Sequence, residues 1–152
     1  GERCPLRIRV CRIPVFGEIA LKGLNGFSRA AIRMAAMNRK NMTREVRSGL
    51  LAPYDSWHNR TAVHQFVKDI PLATNHPSYA ALNDIEQGLP GLADKPVCLI
   101  WGMRDWCFTP KFRDRFLQFF PSAVSHELPE AGHYVVEDAP AEVIGYIRDF
   151  IR

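Results

Sequence analysis

No apolar run in these 152 residues approaches the ~18 that a membrane-spanning helix needs. The opening Gly1-Glu2-Arg3-Cys4-Pro5 leads into no apolar stretch, so no secretory signal is read there. Cysteine is scarce. Cys4, Cys11, Cys98 and Cys107 are scattered without CxxC spacing, which argues against a zinc site. Free thiols and a cytoplasmic location are therefore expected. Nucleic-acid signatures are missing too: there is no RNP-like aromatic motif, no zinc-finger spacing and no helix-turn-helix. No nucleic-acid partner is expected. Repeats and low-complexity tracts do not occur. The first residue is not Met, which fits a fragment or a processed product.

What is present is a globular composition, 47% hydrophobic and 24% charged, over a length that suits one domain. The net charge of +4 hides an asymmetry. Residues 1–50 carry 11 Lys/Arg against 3 Asp/Glu, giving +8, and residues 51–152 carry 9 against 13, giving −4. A basic half reads either as ordinary solvated helix faces or as a surface for an anionic partner. Lys22, Arg29 and Arg33 stand among apolar residues, as in helices that lie on a lipid surface, but packing within the fold is the favoured reading.

Two regions follow from the pattern. Residues 1–92 read as helical and irregular, and residues 93–152 alternate strand and helix. In the first region, residues 7–12 alternate basic and apolar side chains, which suggests a short strand or an extended segment. Residues 15–23 read as a helix, and 24–37 as another, broken near Asn25-Gly26. Thr43 is placed to cap a helix running to about residue 51. Ser56 is expected to cap one that runs to Lys68, with Val63, Phe66, Val67 and Ile70 as its core face. Pro71 stops it. His76-Pro77-Ser78 opens the next.

The second region is clearer. Val97-Cys98-Leu99-Ile100-Trp101 is the kind of run expected of a strand buried on both faces. A helix with Phe112, Phe116 and Phe119 on one side follows, then a strand over residues 123–128. A last helix starts at Pro140 and carries the stripe Val143, Ile144, Ile147, Phe150 and Ile151. Strand, helix, strand, helix predicts two parallel strands joined by a crossover.

Asp105 follows the first strand, where open α/β sheets place their chemistry. His133 stands in a Gly-His loop after the second. A carboxylate can accept a hydrogen bond from an imidazole N–H, fix its tautomer and stabilise the imidazolium. Taken alone, Asp105 would pass for a turn aspartate. Its place 28 residues before His133 points to an acid–base pair, with His133 as general base. His58, His64, His76 and His126 lack such a context and read as surface or capping residues. Glu137-Asp138 reads as a cluster favouring a helix N-terminus, too near His133 in sequence to be its acid.

Acid before base is the chain order of an α/β-hydrolase triad, in which the nucleophile comes earlier still. No nucleophile is assigned within this chain. Gly26-Phe27-Ser28-Arg29-Ala30 resembles G-x-S-x-G, but no buried strand precedes it. Trp106, adjoining Asp105, with Phe108 and Trp57, is a candidate apolar pocket lining. Plain core packing is the alternative.

Residues 95–105, together with Glu130-Ala131-Gly132-His133-Tyr134-Val135-Val136-Glu137-Asp138-Ala139-Pro140, resemble the C-terminal end of α/β-hydrolases of the haloalkane-dehalogenase-like group. Upstream, Leu24-Asn25-Gly26-Phe27, residues 51–57 and residues 66–72 resemble the helical cap of one branch. That branch is the β-lactone decarboxylases of long-chain olefin biosynthesis. The resemblance implies a partial α/β-hydrolase fold, with a helical cap at 1–92 and the last two strands of the core at 93–152. It implies Asp105 as triad acid, His133 as base, and an aspartate nucleophile in a missing N-terminal half. The substrate would be small and apolar: a cis-3,4-dialkyl β-lactone yielding a cis-alkene and carbon dioxide, or a haloalkane. A serine nucleophile, by contrast, would cleave an ester. No cofactor or metal is implied. Two strands alone are marginal and an uncovered edge invites association, so the isolated chain is expected to self-associate. The reading from a different class is a catalytically inactive half-domain that binds a partner through its basic N-terminal half.

Overall fold

The computed structural model describes residues 4–152. They form nine α-helices, a π-helical turn, two 3-10 turns and a two-stranded parallel sheet. Contacts divide the chain into two units. One takes in the chain through Arg33 together with Arg44–Asp84, and the other comprises Met34–Thr43 and Ile85–Arg152.

The first unit holds α1 (Leu6–Val10), α2 (Phe16–Glu18), a π turn (Ile19–Gly23), α3 (Gly26–Met34, all but its last residue), α4 (Arg44–Leu51) and α5 (Thr61–Asp69). Residues 7–12, expected to be extended, lie largely in α1. A period of two over four residues is too short to outweigh the backbone bonds made to Pro5, whose carbonyl accepts from the Ile8 and Arg9 amides. The break at Asn25-Gly26 is real. Asn25 has φ 52°, a left-handed conformation that asparagine tolerates. A Cβ on Gly26 would come within 2.8 Å of the Ala20 carbonyl oxygen.

Arg60 shows how this unit is held without long elements. Its guanidinium donates to the carbonyls of Lys22, Gly23, Tyr54 and Asp55. The orphan carbonyls at the end of the π turn are thereby satisfied by a side chain distant in sequence. Arg12 treats α5 similarly, donating to Val67 and Ile70. The helix predicted from Ser56 begins only at Thr61. Residues 55–59 instead make a local turn in which the Asn59 amide donates to Ser56 Oγ and the Asn59 side chain to Asp55. The buried face of α5 is likewise not the expected one. Val67 and His64 are buried, whereas Phe66 is 79% exposed. Positions 63, 66, 67 and 70 do form one stripe about 100° wide, but packing turns the helix so that the neighbouring stripe through His64 and Val67 faces inward.

In the second unit, β1 (Cys98–Gly102) pairs with β2 (Val124–Leu128) in parallel, Cys98 opposite Val124 and Gly102 opposite Leu128. The helix α7 (Pro110–Phe119) forms the crossover, and α8 (Val135–Asp138) and α9 (Pro140–Phe150) follow β2. The remaining helix, α6 (Pro77–Gly88), leads from the first unit into the second. The local core is Leu128, Ala131 and Val143, with Ile100, Val135, Ala139 and Tyr146 against it. His126 stacks flat on Tyr146 with ring centroids 3.7 Å apart, joining β2 to α9. Arg113 joins α7 to β2 by bonding both Asp114 and Glu127, and those bonds, Asp114 first, hold its guanidinium above its ordinary value.

β1 was expected to be buried on both faces, yet four of its five residues are only half-buried. Among the described residues it has one partner strand. The α9 stripe is similarly uncovered: Val143 is buried, while Ile144, Ile147, Phe150 and Ile151 are exposed. Burial pushes the Cys98 thiol up, which keeps it in the unreactive protonated form near neutral pH.

Candidate active site

Three segments of the second unit meet around one pair of side chains. The first is the loop that leaves β1 at Gly102, the second the loop that leaves β2 at Leu128, and the third the strap of residues 34–43.

The two loops are laced by backbone. Beyond the strand ends, Met103 N donates to Leu128 O at 3.0 Å and Arg104 N to Ala131 O at 2.9 Å. So close an approach requires glycine. A Cβ on Gly102 would overlap the Gly132 carbonyl oxygen and lie 2.7 Å from that of Ala131.

The lacing brings Asp105 and His133 together. His133 Nδ1 is 2.8 Å from Asp105 Oδ2. The other carboxylate oxygen accepts from the amides of Cys107 (2.7 Å) and Phe108 (3.0 Å), which orients the group within its own turn. A carboxylate offers no proton, so Nδ1 carries the hydrogen and Nε2 is left with its lone pair. The Asp105 side chain is 8% exposed and that of His133 29% exposed. The carboxylate is thus shielded while the imidazole keeps access to solvent. Such a pair can accept a proton at Nε2 and hold the resulting imidazolium against the buried carboxylate.

Phe108 leans on this pair, its ring centroid 5.3 Å from that of His133 and 5.3 Å from that of Phe112. Half of Phe108 remains exposed. Trp106 lies beside Asp105 in sequence, but its indole N–H is donated to the Met34 carbonyl at 2.8 Å. It is a strut between the Asp105 loop and the strap. Trp57 belongs to the first unit, where Lys22 Nζ sits 4.7 Å from its ring centre. Ser28 lies in α3 and is entered from the π turn, not from a strand.

Sequence reasoning missed Asp138. Its position at a helix start suggested a charge set against the helix terminus, whereas the side chain is buried and accepts three backbone N–H groups. His64, taken as a surface residue, is buried as well. The nearby depression of about 480 Å³, lined by Met37, Asn38, Arg104, Glu130, Asp138 and Glu142 among others, includes neither Asp105 nor His133.

No protein-family model matches the chain. Among curated proteins it is 35% identical over 147 residues to a cis-3-alkyl-4-alkyloxetan-2-one decarboxylase of Shewanella oneidensis, a match covering 97% of this chain and 46% of that protein. It is 35% identical over 148 residues to the enzyme of the same name from Xanthomonas campestris, covering 97% and 49%. To haloalkane dehalogenase 2 of Mycobacterium bovis it is 35% identical over 104 residues, covering 66% and 35%. The chain spans about half the length of the curated decarboxylases it matches.

Solved structures show the same fold. A haloalkane dehalogenase from Bradyrhizobium elkani superposes with a TM-score of 0.80 at 22% identity, covering 95% of this chain and 50% of that one. One from Agrobacterium tumefaciens gives 0.75 at 21%, covering 94% and 48%. The expected fold, a partial α/β-hydrolase architecture, is the observed one. The chain therefore has a partial α/β-hydrolase fold and is similar, over nearly its whole length, to the C-terminal part of haloalkane-dehalogenase-like α/β-hydrolases.

Proposed function

We propose that this chain supplies the acid and the base of a nucleophile–histidine–acid triad in a β-lactone decarboxylase, Asp105 being the acid and His133 the base. The observation that carries the reading is the 2.8 Å contact between His133 Nδ1 and the buried Asp105 carboxylate. The extent of the likeness favours lactone over haloalkane. Decarboxylase relatives match 97% of the chain, and the dehalogenase matches 66%. The nucleophile, an aspartate, and the oxyanion donors belong in this proposal to the N-terminal half of the fold. The substrate is a cis-3,4-dialkyl β-lactone. Its carboxyl carbon and both oxygens leave as carbon dioxide, and the two ring carbons that bear the alkyl groups become a cis-alkene. Every atom of the lactone is accounted for, and no cofactor enters. Phe108, half exposed against the base, forms part of the apolar wall of the substrate pocket.

The intact protein, given a cis-3,4-dialkyl β-lactone, is expected to release the matching cis-alkene and carbon dioxide, read by gas chromatography. Halide release from a haloalkane with no lactone turnover would assign it instead to dehalogenation. Ester hydrolysis alone would favour a serine nucleophile.

The exposed α9 stripe supports a second expectation. The isolated 17.3 kDa chain self-associates through the surface that the rest of the fold would cover. Light scattering across a concentration series reads this directly, and a monomer at every concentration overturns it.

A further inference from the structure

We infer that Asp138 is a positioning residue for His133, a latch that fixes the base's loop against the strap. The inference rests on the reading of His133 as base. Asp138 is 7% exposed, and its carboxylate accepts three backbone N–H groups from two separate segments. Oδ2 accepts from Gly132 N, the residue directly before His133, at 2.6 Å. Oδ1 accepts from Met37 N at 2.8 Å and Asn38 N at 2.7 Å. Charge-assisted bonds of this kind are roughly twice as strong as neutral ones, and burial makes losing one costly.

The surroundings reinforce the latch. Asn38 Nδ2 donates to the Asp138 carbonyl, and Asn41 Nδ2 to those of Glu137 and Asp138. On the other side of the base, Tyr134 N donates to Ala35 O at 3.1 Å. The strap is therefore bonded to the base's loop both before and after His133. Gly132 has no room to shift: a Cβ there would lie 2.7 Å from Ala35 O and 3.0 Å from the Met37 side chain. Asp105 orients the imidazole, and Asp138 determines where the backbone that carries the imidazole stands.

Replacement by asparagine is discriminating. The carboxamide has one acceptor oxygen and one NH2 group, so either the Gly132 amide or the Met37 and Asn38 amides must face a donor. The loop shifts on whichever side is repelled. In the intact protein, Asp138→Asn is expected to weaken or abolish the far-downfield proton resonance of the His133 Nδ1–H···Asp105 bond. It should also lower kcat by about 10- to 100-fold with little change in KM, since a displacement near 1 Å costs about that much. The melting curve and circular dichroism establish that the variant is folded. A folded variant with the resonance and kcat of the parent overturns the proposal.

Asp138→Glu is the second variant. It restores the charge on a longer stem, and its expected resonance and kcat fall between those of the parent and Asp138→Asn. If the asparagine variant does not fold and the glutamate variant matches the parent, placement of this carboxylate does not matter to the base and the proposal fails. It also fails if neither variant folds, because Asp138 then only holds the fold together. His133→Ala separates this inference from the reading beneath it. Undiminished turnover in that variant removes the base assignment, while the proton resonance in the parent and the Asp138 variants, all of which keep His133, still reports whether Asp138 positions the imidazole.

Discussion

Asp105→Asn in the intact protein is expected to lower kcat by about 10³–10⁴-fold, and His133→Ala by a similar factor. The asparagine effect follows from the bonds already made by each carboxylate oxygen. Oδ1 is occupied by the Cys107 and Phe108 amides, both donors, so the carboxamide oxygen must stay there. The new NH2 group then faces His133 Nδ1. A donor in that place requires Nδ1 to accept, which moves the imidazole hydrogen to Nε2. The base's working nitrogen is then blocked although the packing is almost unchanged. The two residues act as a unit, so the double variant should cost little more than either single one. Steady-state kinetics on the two single variants and the double variant provide the check. A single variant that keeps turnover within about tenfold of the parent refutes the assignment, since a lost general base alone contributes about 10²–10⁴. Additive losses in the double variant would mean that the two groups act separately.

The contact between Asp105 and His133 was legible because its signals are local. An apolar run that ends in a turn aspartate, and a Gly-His loop after a second strand, each announce a strand end where chemistry gathers. The order of the parallel strands then brings them together. The helix of Phe112, Phe116 and Phe119, and Pro140 at the first turn of α9, were legible for the same reason. Asp138 was not. Its partners, Met37 and Asn38, lie about a hundred residues away in sequence, and a backbone N–H leaves no trace in the residue type that carries it. The strap's membership of the second unit was hidden likewise. Trp106 was judged by its neighbour Asp105, whereas its role depends on the distant Met34 carbonyl. The shift of the α5 face from Phe66 to His64 and Val67 has a different cause. Periodicity identifies a helix but constrains its rotation only loosely, and tertiary packing chooses between adjacent stripes. The expected burial of β1 and α9 came from apolar content alone. That content describes faces built to be covered, and it cannot show what covers them in this chain.

Gly102→Ala is expected to destabilise the chain by about 3 kcal/mol, the upper end of what overpacking costs. The reason is the kind of atom that the new methyl group meets. A Cβ at this position overlaps the Gly132 carbonyl oxygen and comes within 2.9 Å of the Ala131 carbonyl carbon. Side chains can rotate out of the way, but these are backbone atoms already committed to the lacing between Arg104 N and Ala131 O. Relief must come from parting the two loops, which also draws His133 away from Asp105, so stability and turnover should fall together. Gly145→Ala is the contrasting substitution. It lies inside α9 with no atom within 4 Å of the new Cβ, so the helix propensity of alanine should stabilise it by roughly 0.5–1 kcal/mol. Urea denaturation of both variants measures the difference. If Gly102→Ala unfolds at the same urea concentration as the parent, the loops are not in contact as described. A stable Gly102→Ala with a lost His133–Asp105 proton resonance would show instead that the glycine is kept for the geometry of the pair rather than for the fold.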